Sequence, residues 1–138
     1  MTDPVCPEDG TNLHRNLRPL TITYKGESQC FDMPGWYCDA CGEGIHTGED
    51  MKVSDRVLNR LKARVEGLPD PGEIRRIRKK LGLSQERAGQ LLGGGPRAFQ
   101  KYEAGDLLPS QAISGLLAVL DHDATAMAVL TARKISRS

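Results

Sequence analysis

The chain has 138 residues, 38% of them hydrophobic, 27% charged and 4% aromatic, with a formal net charge of +1. That length holds one domain or two small ones, and so few aromatics exclude a large aromatic core. No apolar run approaches the ~20 residues of a membrane span. The start Met1-Thr2-Asp3-Pro4 lacks the basic and apolar regions of a secretory signal, so a cytoplasmic protein with no membrane contact is expected. The small net charge hides an asymmetry. Residues 1–66 carry 8 Lys/Arg against 11 Asp/Glu, net −3, while residues 67–138 carry 11 against 7, net +4. The split points to two modules, with phosphate contacts confined to the second.

The first module begins with β-type signals. Leu20-Thr21-Ile22-Thr23-Tyr24 alternates and is rich in β-branched residues, Lys25-Gly26-Glu27 reads as a turn, and Gln29 to Met33 reads as a second strand. So small a β module usually needs a metal or a disulfide to hold it. The four cysteines fall at 6, 30, 38 and 41, and in a reducing compartment a Cys-x-x-Cys is a metal knuckle or redox pair rather than a disulfide. Cys38-x-x-Cys41-Gly42 is half of a zinc knuckle. Cys6-Pro7-Glu8-Asp9-Gly10 has the shape of the other half, with Asp9 where a cysteine would stand. Carboxylate oxygen is an accepted zinc ligand, so Cys6, Asp9, Cys38 and Cys41 form the expected structural site.

Cys30 is the rival fourth ligand. It stands alone in a strand-like run and reads better as a small buried hydrophobe. His14 and Asp3 are further candidates. The strand–Cys-x-x-Cys–helix context of a thioredoxin-like redox pair is absent. A catalytic zinc, with Glu8 or Glu43 as general base, is a weaker reading of a thiolate-rich site, and no enzyme is expected.

Residues 48–66 carry Val53, Val57, Leu61 and Val65 at four-residue spacing, an apolar stripe on a charged helix. Gly67-Leu68-Pro69-Asp70-Pro71-Gly72 is rich in breakers and is read as a linker between a domain at 1–66 and one at 73–138. Asp70, Pro71 and Glu73 then start a helix as cap, N1 and N3, with Ile74, Ile77 and Leu81 facing inward and Gly82 stopping it. Ser84 caps the next, whose inner face is Ala88, Leu91 and Leu92. Gly93-Gly94-Gly95 makes a turn, Pro96 opens a third helix at N1, and Gly105 ends it. A fourth helix follows Pro109-Ser110 and a fifth covers 123–134. The fold class is α+β: a small N-terminal zinc-ribbon-like β domain and a C-terminal all-α domain of five helices.

Two short helices around a glycine turn have the geometry that places a second helix in the DNA major groove. Phe99 and Tyr102 share one face and anchor the third helix, while Arg97, Gln100 and Lys101 point elsewhere. Arg97, near the helix start, can bond guanine in bidentate fashion, and Lys101 can reach a base or a phosphate. Ser84 and Gln85 begin the preceding helix, where Gln85 can bond a phosphate. Arg75, Arg76, Arg78, Lys79 and Lys80 form a basic run, read mainly as a solvated face with about two members touching phosphate. Leu116, Leu117, Leu120, Met127 and Leu130 supply either a dimer contact or the closure of the monomer core.

Residues 70–120 resemble the Xre/Cro-type helix-turn-helix family, through Ser84-Gln85, Ala88, Gly93, Tyr102-Glu103 and Gly105. The two modules together resemble the MqsA family of antitoxins, YgiT-type zinc-finger/helix-turn-helix proteins. The residues that carry this are Cys6-Pro7, Tyr24-Lys25-Gly26, Gly35-Trp36-Tyr37-Cys38-x-x-Cys41, Arg78 to Gln85, and Gly93-Gly94-Gly95 with Ala98-Phe99, Tyr102-Glu103 and Gly105. The resemblance implies a structural zinc, a C-terminal domain that dimerises and binds a palindromic operator, and an N-terminal surface that sequesters a toxin, typically an mRNA-cleaving ribonuclease. It places Asp9 at the family's second cysteine, and Arg97 and Lys101 at its base-reading asparagine and arginine. An arginine cannot reproduce an asparagine's bidentate contact to adenine, so a different operator is expected. The expected function is an antitoxin that represses its own operon. The alternative is a free-standing zinc-ribbon regulator without a toxin.

Overall fold

Lys25 and Gly26 both take positive φ, 48° and 84°, the pair that a two-residue type I′ hairpin turn requires. On either side of it β1 (His14–Tyr24) and β2 (Glu27–Tyr37) pair antiparallel, from Tyr24↔Glu27 to His14↔Tyr37. Both strands run well past the segments 20–24 and 29–33, because ladder pairing extends them through Pro19 and Pro34. The short β3 (Gly44–Ile45) joins the base of β2, giving the order β1-β2-β3. This computed structural model describes residues 3–136, with side chains to residue 133.

Much of the hairpin is exposed to water, and a lone hairpin is marginal, so its base must be fixed. Arg15 on β1 donates to both oxygens of the buried Asp50 at 2.9 and 2.8 Å. Hydrogen bonding from Arg15, then from the Thr47 amide, holds the Asp50 carboxyl well below the usual carboxylate range. Asp50 lies in the first turn of α1 (Gly48–Glu66), the helix expected at 48–66. There Thr47 N donates to Asp50 Oδ2 (2.9 Å) and Asp50 N donates to Thr47 Oγ1 (3.2 Å), a reciprocal cap. The same carboxylate therefore starts the helix and holds the strand.

The chain divides into two compact units, Met1–Leu61 and Lys62–Ser138, so the division falls within α1. In the second unit α2 (Pro71–Lys80) and α3 (Gln85–Leu92) begin where Asp70 and Ser84 accept from Glu73 N and Arg87 N. α5 (Gln111–His122) begins likewise at Ser110. α4 (Ala98–Ala104) starts later than expected: Pro96 and Arg97 belong to the turn, and Arg97 is the N-cap. The reason is tertiary. A Cβ on Gly89 would stand 1.8 Å from Gly95 O, so the turn crosses directly over α3. The expected fifth helix divides into a 3-10 turn at Ala124–Ala126 and α6 (Met127–Ser136). Ile74, Ile77, Ala88, Leu91, Leu92, Phe99, Leu117 and Leu120 form the core. Leu116, Met127 and Leu130 pack against it, so of the two uses expected for these five residues the monomer's own core takes them, and among the described residues Val119 and Val129 are the large apolar side chains exposed on α5 and α6. Among the described residues no single helix is long and apolar enough to cross a membrane.

The basic run is exposed, as expected, except at the half-buried Arg78, and most of it is also paired. Arg75 and Arg78 pair with Glu103, and Arg76 and Lys80 pair with Asp121. Hydrogen bonds from Arg76, then Lys80, pull the Asp121 carboxyl from its ordinary 3.8 to about 2. The folded value is the lower one, so this stabilisation is complete above about pH 4 and fades as the pH falls toward 2. Asp121→Asn should thus lower the urea midpoint at neutral pH, with the gap to wild type closing across that window; a gap independent of pH would contradict the clamp. Gly89→Ala should destabilise despite a helix-propensity gain of up to ~1 kcal/mol, since overpacking against backbone costs ~3 kcal/mol. Denaturant unfolding that shows Gly89→Ala to be neutral would contradict the close crossing.

Candidate functional site

Two tight turns of the same geometry face each other in the first unit. Gly10 N donates to Cys6 O at 2.9 Å, and Gly42 N donates to Cys38 O at 2.9 Å. Both glycines are left-handed, with φ 75° and 78°, a conformation other residues adopt only under strain. Asp9 thereby holds, in the first turn, the place Cys41 holds in the second. A bridge between Val5 and Asn12 closes the first turn, and Cys38 N donating to Glu43 O (2.9 Å) closes the second.

The ligand atoms of Cys6, Asp9, Cys38 and Cys41 all lie within 4.8 Å of one another. Cys6 Sγ is 3.5 Å from Cys41 Sγ, and Cys38 Sγ is 3.8 and 3.6 Å from the two Asp9 oxygens. A tetrahedral ion with metal–sulfur bonds of ~2.3 Å has edges of about 3.8 Å, so the four donors fit one. Thr11 N donates to Asp9 Oδ1 at 2.9 Å and aims the carboxylate. Thr11, through its side chain and then its amide, holds the Asp9 carboxyl below its ordinary value. The amides of Cys41 and, after the opposing effect of burial, Ala40 lower the Cys38 thiol. The Glu43 amide also lowers Cys41, but hydrogen bonding to Cys6, burial and Cys38 outweigh it and push that thiol up to about 11. Three thiols this close cannot all ionise without a cation between them. Cys6 and Cys38 are buried and Asp9 and Cys41 exposed, so the site is closed on one side and open to water on the other.

The rival ligands lie elsewhere. Cys30 is exposed on β2 opposite Thr21, not buried as expected, because the hairpin there has no apolar layer over it. His14 faces Asp39 at 3.9 Å, and neither it nor the exposed Asp3 belongs to the cluster. The sequence reading passed over Thr11. Its signal was the Asp-Gly-Thr order, in which an Asx turn lets a carboxylate bond the amide two residues on.

In the second unit α3 and α4 meet across Gly93–Arg97. Ser84 is engaged as a cap, its Oγ accepting from Arg87 N at 3.0 Å. Gln85 is the first residue of α3, and its side chain is among the groups that lower the Glu103 carboxyl. Ala98, Phe99 and Tyr102 are buried, the two rings edge-to-face at 5.2 Å. Arg97, Gln100 and Lys101 are exposed on the other side of α4. The helix therefore presents a row of two cations and an amide while its aromatic face is fixed in the core.

A sequence model of the family described as "Antitoxin component of bacterial toxin-antitoxin system, MqsA" matches residues 1–128. Antitoxin MqsA of Escherichia coli (strain K12) is 31% identical over 123 residues, 88% of this chain and 92% of that protein. The chain belongs to the MqsA antitoxin family. It is the antitoxin component of a toxin–antitoxin system, a regulatory class of protein, and that membership implies a cognate toxin.

The geometry makes Asp9, not Cys30, the fourth donor of this antitoxin. Competition against a chromophoric chelator should show Asp9→Ala losing at least about tenfold in affinity for added Zn²⁺, with Cys30→Ser unchanged. The reverse pattern would remove Asp9 from the site.

Proposed function

We propose that this antitoxin neutralises a ribonuclease toxin through its N-terminal module and represses its own operon by binding a palindromic operator as a homodimer in the cytoplasm. Residues 1–66 form the metal-holding, toxin-binding module, 67–72 the linker, and 73–138 the DNA-binding and dimerisation module. The metal is zinc, held by Cys6, Asp9, Cys38 and Cys41. A three-thiolate, one-carboxylate tetrahedral set suits this ion, which would serve to hold the two turns together.

The observation that carries the DNA reading is the division of α4 into a buried face, Ala98, Phe99 and Tyr102, and an exposed row, Arg97, Gln100 and Lys101. Arg97 at the helix start is the base reader, suited to guanine, and Lys101 one turn on reaches a base or a phosphate. Gln100 lies between them at the groove. Ser84 and Gln85 approach the backbone at the start of α3, where helix N-termini favour phosphate. Support for a protein partner at the first unit comes from β1, an edge strand that leaves Leu17 and Leu20 exposed on opposite faces.

Native mass spectrometry of the protein recovered from its host tests the assembly. A dimer with one zinc per chain and a small co-purifying partner is expected; a zinc-loaded dimer with no partner, with the neighbouring genes expressed, would favour a free-standing regulator. On DNA, Arg97→Ala should lose ~1–3 kcal/mol per half-site for the preferred sequence. Unchanged binding would take Arg97 out of the reading role.

A further inference from the structure

Glu103 lies on α4 with its side chain only 1% exposed. Arg78 donates to it from Nε at 2.7 Å and Nη2 at 2.9 Å, and Arg75 donates from Nε at 3.2 Å. Arg78 also donates from Nη1 to Leu83 O at 2.8 Å, in the segment that enters α3. Burial raises the Glu103 carboxyl, and Arg78, Gln85 and Arg75 together outweigh it and keep it ionised. One buried charge thus joins α2 to α4 and, through Arg78, the entry to α3.

We propose that Glu103 is a positioning residue for DNA reading, which sets the exposed row of α4 in register with Gln85 at the start of α3. The proposal rests on the DNA-binding reading above. Its physical basis is the directionality of the bonds. A buried ion pair is a weak source of stability, and apolar side chains of like volume often do as well. Apolar contact, however, lets a helix slide or roll, whereas three donors on one carboxylate fix its position. Contacts to phosphate set the register of a protein on the duplex, and contacts to base edges supply the discrimination. Gln85 belongs to the first class and Arg97 and Lys101 to the second. The distance between the classes must hold to within ~0.5 Å for base contacts to form. Glu103 reaches both sides of that distance: the entry to α3 through Arg78, which also bonds Leu83 O, and α4 by being part of it. The charge it neutralises matters too, because the Arg78 guanidinium, 11% exposed, is thereby withheld from non-specific phosphate contact.

The test uses the full-length dimer and two duplexes: one selected by wild type from a random-sequence pool, and a shuffled duplex of the same composition. Glu103→Gln should lower the ratio of selected to shuffled affinity by about tenfold, the size of one lost base contact. The change should lie mainly in the selected duplex, and affinity for the shuffled one should hold or rise as Arg75 is released. Asp121→Asn is the control for stability alone: it breaks an ion pair to the same helix α2 with no link to α4, and it should lower the melting temperature with the ratio intact. Should Glu103→Gln fail to fold, Arg78→Lys keeps the charge but loses the fork and the Leu83 bond, and it should lower the ratio in a folded protein. A folded Glu103→Gln or Arg78→Lys with the wild-type ratio, or Asp121→Asn losing the ratio equally, would overturn the positioning role and leave the DNA reading standing. A wild type that selects no duplex would overturn both.

Discussion

Four donor atoms converging from two tight turns are what the first unit has in place of a core. Its buried cluster is Cys6, Leu13 and Cys38, with Trp36 packed alongside. Two of those three belong to the cluster positioned to hold a metal, so the candidate metal site and the apolar core are nearly the same object. Burial of so little apolar surface cannot offset the conformational entropy of ordering about 60 residues. An ion that binds only the folded arrangement can, because its binding free energy becomes folding free energy. The hairpin then stands on this base through Arg15, which reaches Asp50 and lies over the Trp36 ring at 5.4 Å. Trp36 links the two parts, touching the cluster on one side and the Arg15 guanidinium on the other.

The helical unit solves a different problem. It has enough apolar side chains for a core, and what it must specify is the pose of α4. Two features do so at opposite ends of the helix. At its start the Gly93–Gly95 turn crosses Gly89, which brings backbone against backbone and leaves no room for a side chain. Near its end Glu103 anchors to α2 and α3. Between them Phe99 and Tyr102 supply the burial. The pose is therefore set by one steric and one electrostatic constraint, with apolar packing common to both.

What was legible in the sequence was local. Caps at Asp70, Ser84 and Ser110 follow from side chains bonding amides three residues on, and the two knuckles follow from spacing within five residues. The α1 span was visible in its four-residue periodicity. What was not legible depends on residues far apart. The late start of α4 comes from Gly95 meeting Gly89, and Pro96 alone misleadingly suits a first helical position. The pairing within the basic run was hidden because its partners, Glu103 and Asp121, lie 25 to 45 residues away. Cys30 was expected to be buried because free cysteine usually is, but a two-stranded ribbon has no second layer to cover it. Asp9 is intermediate: its role was suggested by position in a knuckle, and the distances to Cys38 and the bond from Thr11 supply the geometry.

The internal use of charge changes how the electrostatics of the second module are understood. A net charge of +4 over residues 67–138 suggests a broad cationic surface. Yet Arg75, Arg76, Arg78 and Lys80 are each held against a carboxylate within the same helical bundle. Four of the cations in that sum therefore hold helices together, and two carboxylates offset half of their charge. Arg97 and Lys101 are the exposed cations that the proposed reading sets at the bases, and Lys79 and Arg87 are exposed as well. Attraction between such cations and phosphate carries no sequence information. Discrimination must then come from well-placed base contacts and from two copies of α4 acting together on a symmetric site. That places the demand on the orientation of α4 rather than on total charge, which is why a buried carboxylate, costly as it is to desolvate, has a use at position 103.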